Sequence, residues 1–128
     1  MDASANATGS TAIDGPSAIR ETCQGMLVIT PKGPALSEGD AGCVLAEVTS
    51  DVAQAKGRVL LDMSKIEYMS SAGISMLVQL REACVKEGGS LAMCGLAKPI
   101  AGVLKTTRVD RLFTIMPVRE KALAKLGD

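Results

Sequence analysis

Apolar positions along the chain follow two periods, and their alternation predicts the order of elements. Ile19, Glu21 and Cys23 fall on one side and Arg20 and Thr22 on the other, the period-two pattern of a strand. Gln24-Gly25 supplies a turn, and Met26-Leu27-Val28-Ile29-Thr30 reads as a more deeply buried strand, so the two predict a hairpin. Pro31, Gly33 and Pro34 break the second strand into a loop. Ser37 or Asp40 then caps a helix. Its apolar residues Val44, Leu45, Val48, Val52 and Ala55 recur at helical spacing, with Glu47, Ser50, Asp51 and Gln54 on the wet side. Gly57 closes it.

A strand over Arg58–Met63 follows, then a polar link, Ser64–Tyr68, with Ile66 pointing inward. The next helix runs from about Ser71 to Glu87. Leu77, Leu80 and Cys84 form its buried stripe, and Ser75, Gln79, Glu82 and Lys86 its exposed one. Gly88-Gly89 ends it, and Ser90–Cys94 is a further strand. Pro99 suits the first turn of a third helix, with Ile100, Val103 and Leu104 inward. A short strand near Leu112–Met116 and a last helix opened by Pro117, with Val118, Ala122, Leu123 and Leu126 inward, complete the pattern. Strand–helix–strand alternation predicts an α/β fold, with Leu60, Leu61, Leu77, Leu80, Leu91 and Val103 in its core. Residues 1–17 are mostly Ala, Ser, Thr, Gly and Asn with a single Ile, too little apolar surface to offset ordering entropy. They read as a loose tail before one domain over residues 18–128.

Composition narrows the function. The 128 residues suffice for one core. Aromatics are 2% of the chain, which argues against a protein that stacks bases on aromatic platforms. Fourteen basic residues balance fourteen acidic ones, so no net charge draws the chain to nucleic acid or an anionic membrane. Histidine is absent, which excludes Ser-His-Asp and Cys-His catalysis and every His-containing metal site. Cys23, Cys43, Cys84 and Cys94 contain no C-x-x-C pair and read as small buried hydrophobes, reduced in a cytoplasmic protein. The N-terminus lacks a basic and an apolar region of a signal peptide, and the apolar runs are far shorter than a membrane span.

Phosphate-binding loops, dinucleotide fingerprints and G-x-S-x-G elbows are missing. Asp62 and Glu67 lie near a strand end, where α/β proteins often bind ligands. Without a base or a metal site, Glu67 reads as a solvated loop residue and Asp62 as a hydrogen-bonded strand end. The inventory favours a binding or switching module over an enzyme, without a cofactor or metal of its own.

The most informative segment is Met69-Ser70-Ser71-Ala72-Gly73-Ile74. It places two hydroxyls at a helix start, where free N–H groups and the helix dipole favour an anion. In the ordinary reading Ser70 is an N-cap, Ser71 a first-turn residue, and Gly73 permits close packing. In the other reading a phosphate added there changes what the tip presents to a partner.

The run Leu60–Ile74 resembles the central signature of bacterial STAS domains, specifically anti-sigma factor antagonists. Gly88-Gly89 before Leu91, Met93 and Cys94, then Val103-Leu104, then Val109-Asp110-Arg111-Leu112-Phe113 are similar too, so the resemblance spans roughly Ile19–Leu126. It implies a mixed sheet of four or five strands packed against about four helices. It implies a protein that binds an anti-sigma factor that is also a serine kinase, freeing a sigma factor. The kinase, with its own ATP and magnesium, phosphorylates the antagonist, and a serine/threonine phosphatase restores it. By the signature the acceptor is Ser71, two residues before Gly73, with Ser70 the lesser candidate. The partner surface is then expected around Ser37, Glu38, Asp40, Ser70, Ala72, Gly73 and Ser75. Two positions depart from the family. Ser70 stands where Asp is frequent, and Ser37 precedes Glu38 where an acidic residue often follows the Leu36 position directly. Related STAS domains serve as scaffolds in stress-sensing assemblies, as parts of anion transporters and in lipid transport. Two alternatives therefore stand: a scaffold or regulator in another signalling assembly, and a small nucleotide- or lipid-binding domain.

Overall fold

Three apolar runs lie side by side, each buried on both faces, and they set the layering. In the computed structural model, which describes residues 11–23 and 25–127, strands β1 (Thr11–Asp14), β2 (Ala18–Cys23) and β3 (Met26–Pro31) pair antiparallel in succession. A two-residue strand, β4 (Ala35–Leu36), leads into helix α1 (Glu38–Gln54). Then come β5 (Arg58–Asp62), the short β6 (Tyr68–Met69), α2 (Ser71–Lys86) and β7 (Ser90–Cys94). Helix α3 (Lys98–Thr106), a 3-10 turn (Val109–Leu112), β8 (Thr114–Met116) and α4 (Arg119–Gly127) close the chain. The main sheet runs β1-β2-β3-β5-β7-β8, parallel from β3 onward.

The strands' period of two divides their side chains between two cores. Leu27, Ile29, Val59, Leu61, Leu91 and Met93 face α1, α2 and α3, where Val44, Val48, Val52, Leu77, Leu80, Cys84, Ile100 and Leu104 meet them. Val28, Leu60, Ala92 and Cys94 face the other way, onto Ala122 of α4. Each fully buried Val of α1 contributes about 1.5–3 kcal/mol relative to exposure. Among the described residues no helix is long and apolar enough to cross a membrane.

The α/β prediction holds, with a mixed sheet and four helices. The strand count is corrected: the main sheet has six strands, because Thr11–Asp14 of the expected tail pair with β2. Backbone pairing, which composition does not report, orders that segment. Residues 1–10 lie outside the described residues. Val103 is 40% exposed, not in the core, since Ile100 and Leu104 already define the inner stripe of α3. Val109–Leu112 is a 3-10 turn, and Val118, expected inward, is exposed. Leu126 lies where side chains are not described. Glu47 and Asp51 are half-buried, not on a wet face: Arg20 of β2 donates to Asp51 Oδ2 at 2.6 Å and to the Glu47 carbonyl at 3.2 Å.

The cysteines also divide. Cys84 and Cys94 are buried and Cys23 half-buried, but Cys43 is exposed, because it sits one residue, about 100° of helix, from the Val44 stripe. Burial pushes the Cys84 thiol up to about 12; burial, then the neighbouring Asp62 carboxylate, pushes that of Cys94 up to about 11. A maleimide should therefore label Cys43 first and Cys23 more slowly, leaving Cys84 and Cys94 until the chain unfolds. Intact-mass time courses with and without urea check this order.

The turns after α1 and α2 touch through backbone. A Cβ on Gly89 would lie 2.2 Å from the Gly57 carbonyl carbon, and one on Gly57 would lie 2.3 Å from the Cys84 oxygen. Gly89→Ala should destabilise the fold by about 1–3 kcal/mol through overpacking. Gly102→Ala, in open space on α3, should stabilise it by about 0.4–1 kcal/mol. Urea midpoints measure both.

Candidate functional site

Two helix starts lie side by side because β4 and β6 pair in parallel, Ala35 with Tyr68 and Leu36 with Met69. Each two-residue strand feeds directly into a serine N-cap, Ser37 for α1 and Ser70 for α2. The link from β5 reaches this point over buried anchors at Met63 and Ile66. It is latched to the loop after β3 by the Glu67 N–H donating to the Pro34 carbonyl at 2.7 Å.

The two caps differ chemically. At α1 the Ser37 hydroxyl donates to Asp40 Oδ2 at 2.7 Å, and the same oxygen accepts the Ser37 N–H at 3.3 Å. These bonds, the side-chain one first, hold the Asp40 carboxyl below its ordinary range. At α2 the Ser70 hydroxyl accepts the Ala72 N–H at 3.2 Å and donates to the Leu36 carbonyl at 3.4 Å. The Ser70 N–H donates to that carbonyl at 3.0 Å. Ser70 thus serves both as a cap and as the bridge to β4. Ser71, the first helical residue, is exposed, and its hydroxyl makes no hydrogen bond among the described residues. The first turn of α2 carries no acidic residue, so its dipole end is uncompensated.

Of the expected partner-facing residues, Ser37, Asp40, Ser70 and Ser75 are exposed and Ala72 is half-buried. Glu38 begins α1. Gly73, by contrast, is buried, and a Cβ there would stand 2.8 Å from the Leu36 oxygen and 3.0 Å from Met69 Cβ. The missing side chain lets α2 start against β4. Between the helices runs a shallow groove lined by Ala41, Gly42 and Leu45 of α1 and by Ala72, Ser75 and Met76 of α2. Sequence reasoning missed the α1 half. The available signal was Gly42, a glycine inside a helix, where it costs about 1 kcal/mol against Ala and leaves open space at the groove.

The Asp62 reading holds. Its carboxylate, at the end of β5, accepts the Ser64 N–H at 3.0 Å and Arg119 Nη2 at 2.9 Å. Burial works against its charged form, but the Arg119 and Ser64 hydrogen bonds and the guanidinium charge outweigh it, so the group titrates below its ordinary value. Glu67 is exposed. Among the described residues no group of three or more acidic or cysteine side chains is placed to hold a metal. A more enclosed hollow, lined by Arg20, Thr22, Leu27 and Asp51, measures about 240 Å³. Ligand pockets ordinarily measure about 300–1,000 Å³.

A family model described as the STAS domain matches residues 17–122. The chain is 27% identical over 100 residues to BtrV of Bordetella bronchiseptica, a protein assigned by name to the anti-sigma factor antagonists; the match covers 78% of this chain and 85% of that one. The fold resembles that of an anti-sigma factor antagonist from Mycobacterium paratuberculosis, with TM-score 0.77 and 20% identity over 91% of this chain and all (100%) of that one. It also resembles a Thermotoga maritima protein assigned to the same class, with TM-score 0.77 and 17% identity over 85% of this chain and 93% of that one.

The unequal serines generate a stability test. Ser70→Ala should cost about 1 kcal/mol, the usual loss of a cap. Ser71→Ala should stay within about 0.5 kcal/mol of the parent. Urea unfolding followed by circular dichroism measures the pair.

Proposed function

The chain belongs to the STAS domain family, and within it we propose that it acts as an anti-sigma factor antagonist switched by phosphorylation of Ser71. Unphosphorylated, it binds an anti-sigma factor that is also a serine kinase, and so frees a sigma factor. The chain itself performs no chemistry. ATP and magnesium belong to the kinase, and a serine/threonine phosphatase reverses the modification. The names of the similar proteins favour the antagonist role.

One observation carries the choice of residue: two adjacent serines occupy the tip, and only one has a hydroxyl to spare. Ser70 is engaged on both sides, with Ala72 and with Leu36, so its phosphorylation would remove a helix cap and a bridge. Ser71 points outward at the first helical position with no partner among the described residues. A phosphate brings a charge of about −1.5 to −2. At a helix N-terminus it meets the favourable end of the dipole, so the fold tolerates it. Against a docked partner it adds bulk and a desolvation cost. Ser75 and the α1–α2 groove extend the docking surface, and the small residues Ala41, Gly42 and Ala72 allow close approach.

Incubation with the cognate kinase and ATP, followed by phosphopeptide mapping, should place label on Ser71. Ser71→Ala should keep partner binding and escape modification. Ser71→Glu should fold normally and bind at least about tenfold more weakly, a loss near 1.4 kcal/mol. Label on Ser70 would move the acceptor, and label on neither serine would favour the scaffold reading.

A further inference from the structure

Arg119 is the first residue of α4, the wrong end of a helix dipole for a cation. Its placement is explained by what it reaches. Nη1 lies 3.2 Å from Glu21 Oε2 on β2, and Nη2 lies 2.9 Å from Asp62 Oδ2 at the end of β5. Glu120 of α4 and the buried Cys94 of β7 are the other titratable groups in this neighbourhood. The helix itself has little else to hold it: among its described side chains Ala122 is buried and Leu123 half-buried. At nine residues it is shorter than helices that persist alone.

Asp62 spends its two oxygens in opposite directions. Oδ2 takes Arg119, and Oδ1 takes the Ser64 N–H at 3.0 Å, the first turn of the link that runs to Ser70. The Met63 N–H donates to the Cys94 carbonyl at 2.9 Å, and a Cβ on Gly95 would stand 3.1 Å from the Ser64 nitrogen. The start of the link is therefore seated against β7 while its carboxylate latch is neutralised from α4. We propose that Arg119 is a positioning residue that couples the docking of α4 to the geometry of the Ser64–Ala72 segment. Whatever displaces α4 then loosens the tip. Its meaning as regulation rests on the reading of Ser71 above.

Amide hydrogen exchange by NMR on the full chain tests the coupling. In Arg119→Gln the Ser64–Ala72 amides and α4 should exchange about tenfold faster, while β3 and α1 keep their rates. The Ser64 amide proton, no longer held on an oriented carboxylate, should move upfield. Glu21→Gln cuts only the other prong; it should loosen α4 alone and leave the Ser64–Ala72 rates within about twofold, with the Ser64 proton unmoved. Faster exchange of α4 without the link in Arg119→Gln would reduce Arg119 to a helix anchor and overturn the proposal. If that variant opens the whole domain, Arg119→Lys decides, because it keeps the charge and loses the two-pronged geometry. It must loosen the link ahead of β3, and uniform exchange overturns the coupling. None of these readouts uses a kinase, so failure here leaves the Ser71 assignment untouched, and its failure leaves these results standing.

Discussion

The tip depends on one close approach of backbone to backbone. The Leu36 carbonyl ends β4 and accepts from both the N–H and the hydroxyl of Ser70, while Gly73 packs beneath it with no Cβ to intervene. A two-residue parallel strand pair would be negligible alone, since isolated strand pairs are marginal even when longer. Here the sheet beneath holds β3 and β5 in parallel register, and α1 and α2 pack on the same face. The short pairing is a consequence of that frame, and the position of both serines is a consequence of the pairing.

The two faces of the sheet are served unequally. Three helices and most of the large apolar side chains cover one face, so α1 and α2 are fixed by burial. The other face has α4 and a handful of small contacts, and there charge takes over, with one arginine spanning two carboxylates. A partly exposed ion pair is usually worth little. This one gains from the half-buried position of Asp62 and from the hydrogen bonds to it. Arg20 does similar work on the crowded face, joining β2 to α1 through Asp51 and the Glu47 carbonyl.

Most of the fold was legible because its elements are long enough to show a period. Val44, Val48 and Val52 mark α1, and Leu77, Leu80 and Cys84 mark α2, without ambiguity. The hairpin was legible in Gly25, whose φ of 78° suits the turn after Gln24. What escaped were features with no periodic signature. β4 and β6 are two residues each, and β1 is four residues of mixed character held by pairing. Val103 and Cys43 carry apolar side chains one step off their stripes, and composition does not distinguish such a position from the stripe itself. Asp51 looked solvated because a charge on a helix usually is; its partner lies thirty-one positions away on β2. At the tip, resemblance to a family singled out Ser71, but only the hydrogen bonds separate the two serines physically.

The parallel pairing of β4 with β6 gives the tip a folding order as well as a shape. Its halves lie on either side of α1 and β5, so loop closure over that distance comes before the pairing rewards it. The arrangement of the serine pair is thus conformational, and no linear segment carries it. A peptide covering the β5–α2 region would contain both hydroxyls yet lack the Leu36 carbonyl that occupies one of them, and in such a peptide the two serines would be chemically alike. The fold makes neighbouring, identical side chains unequal.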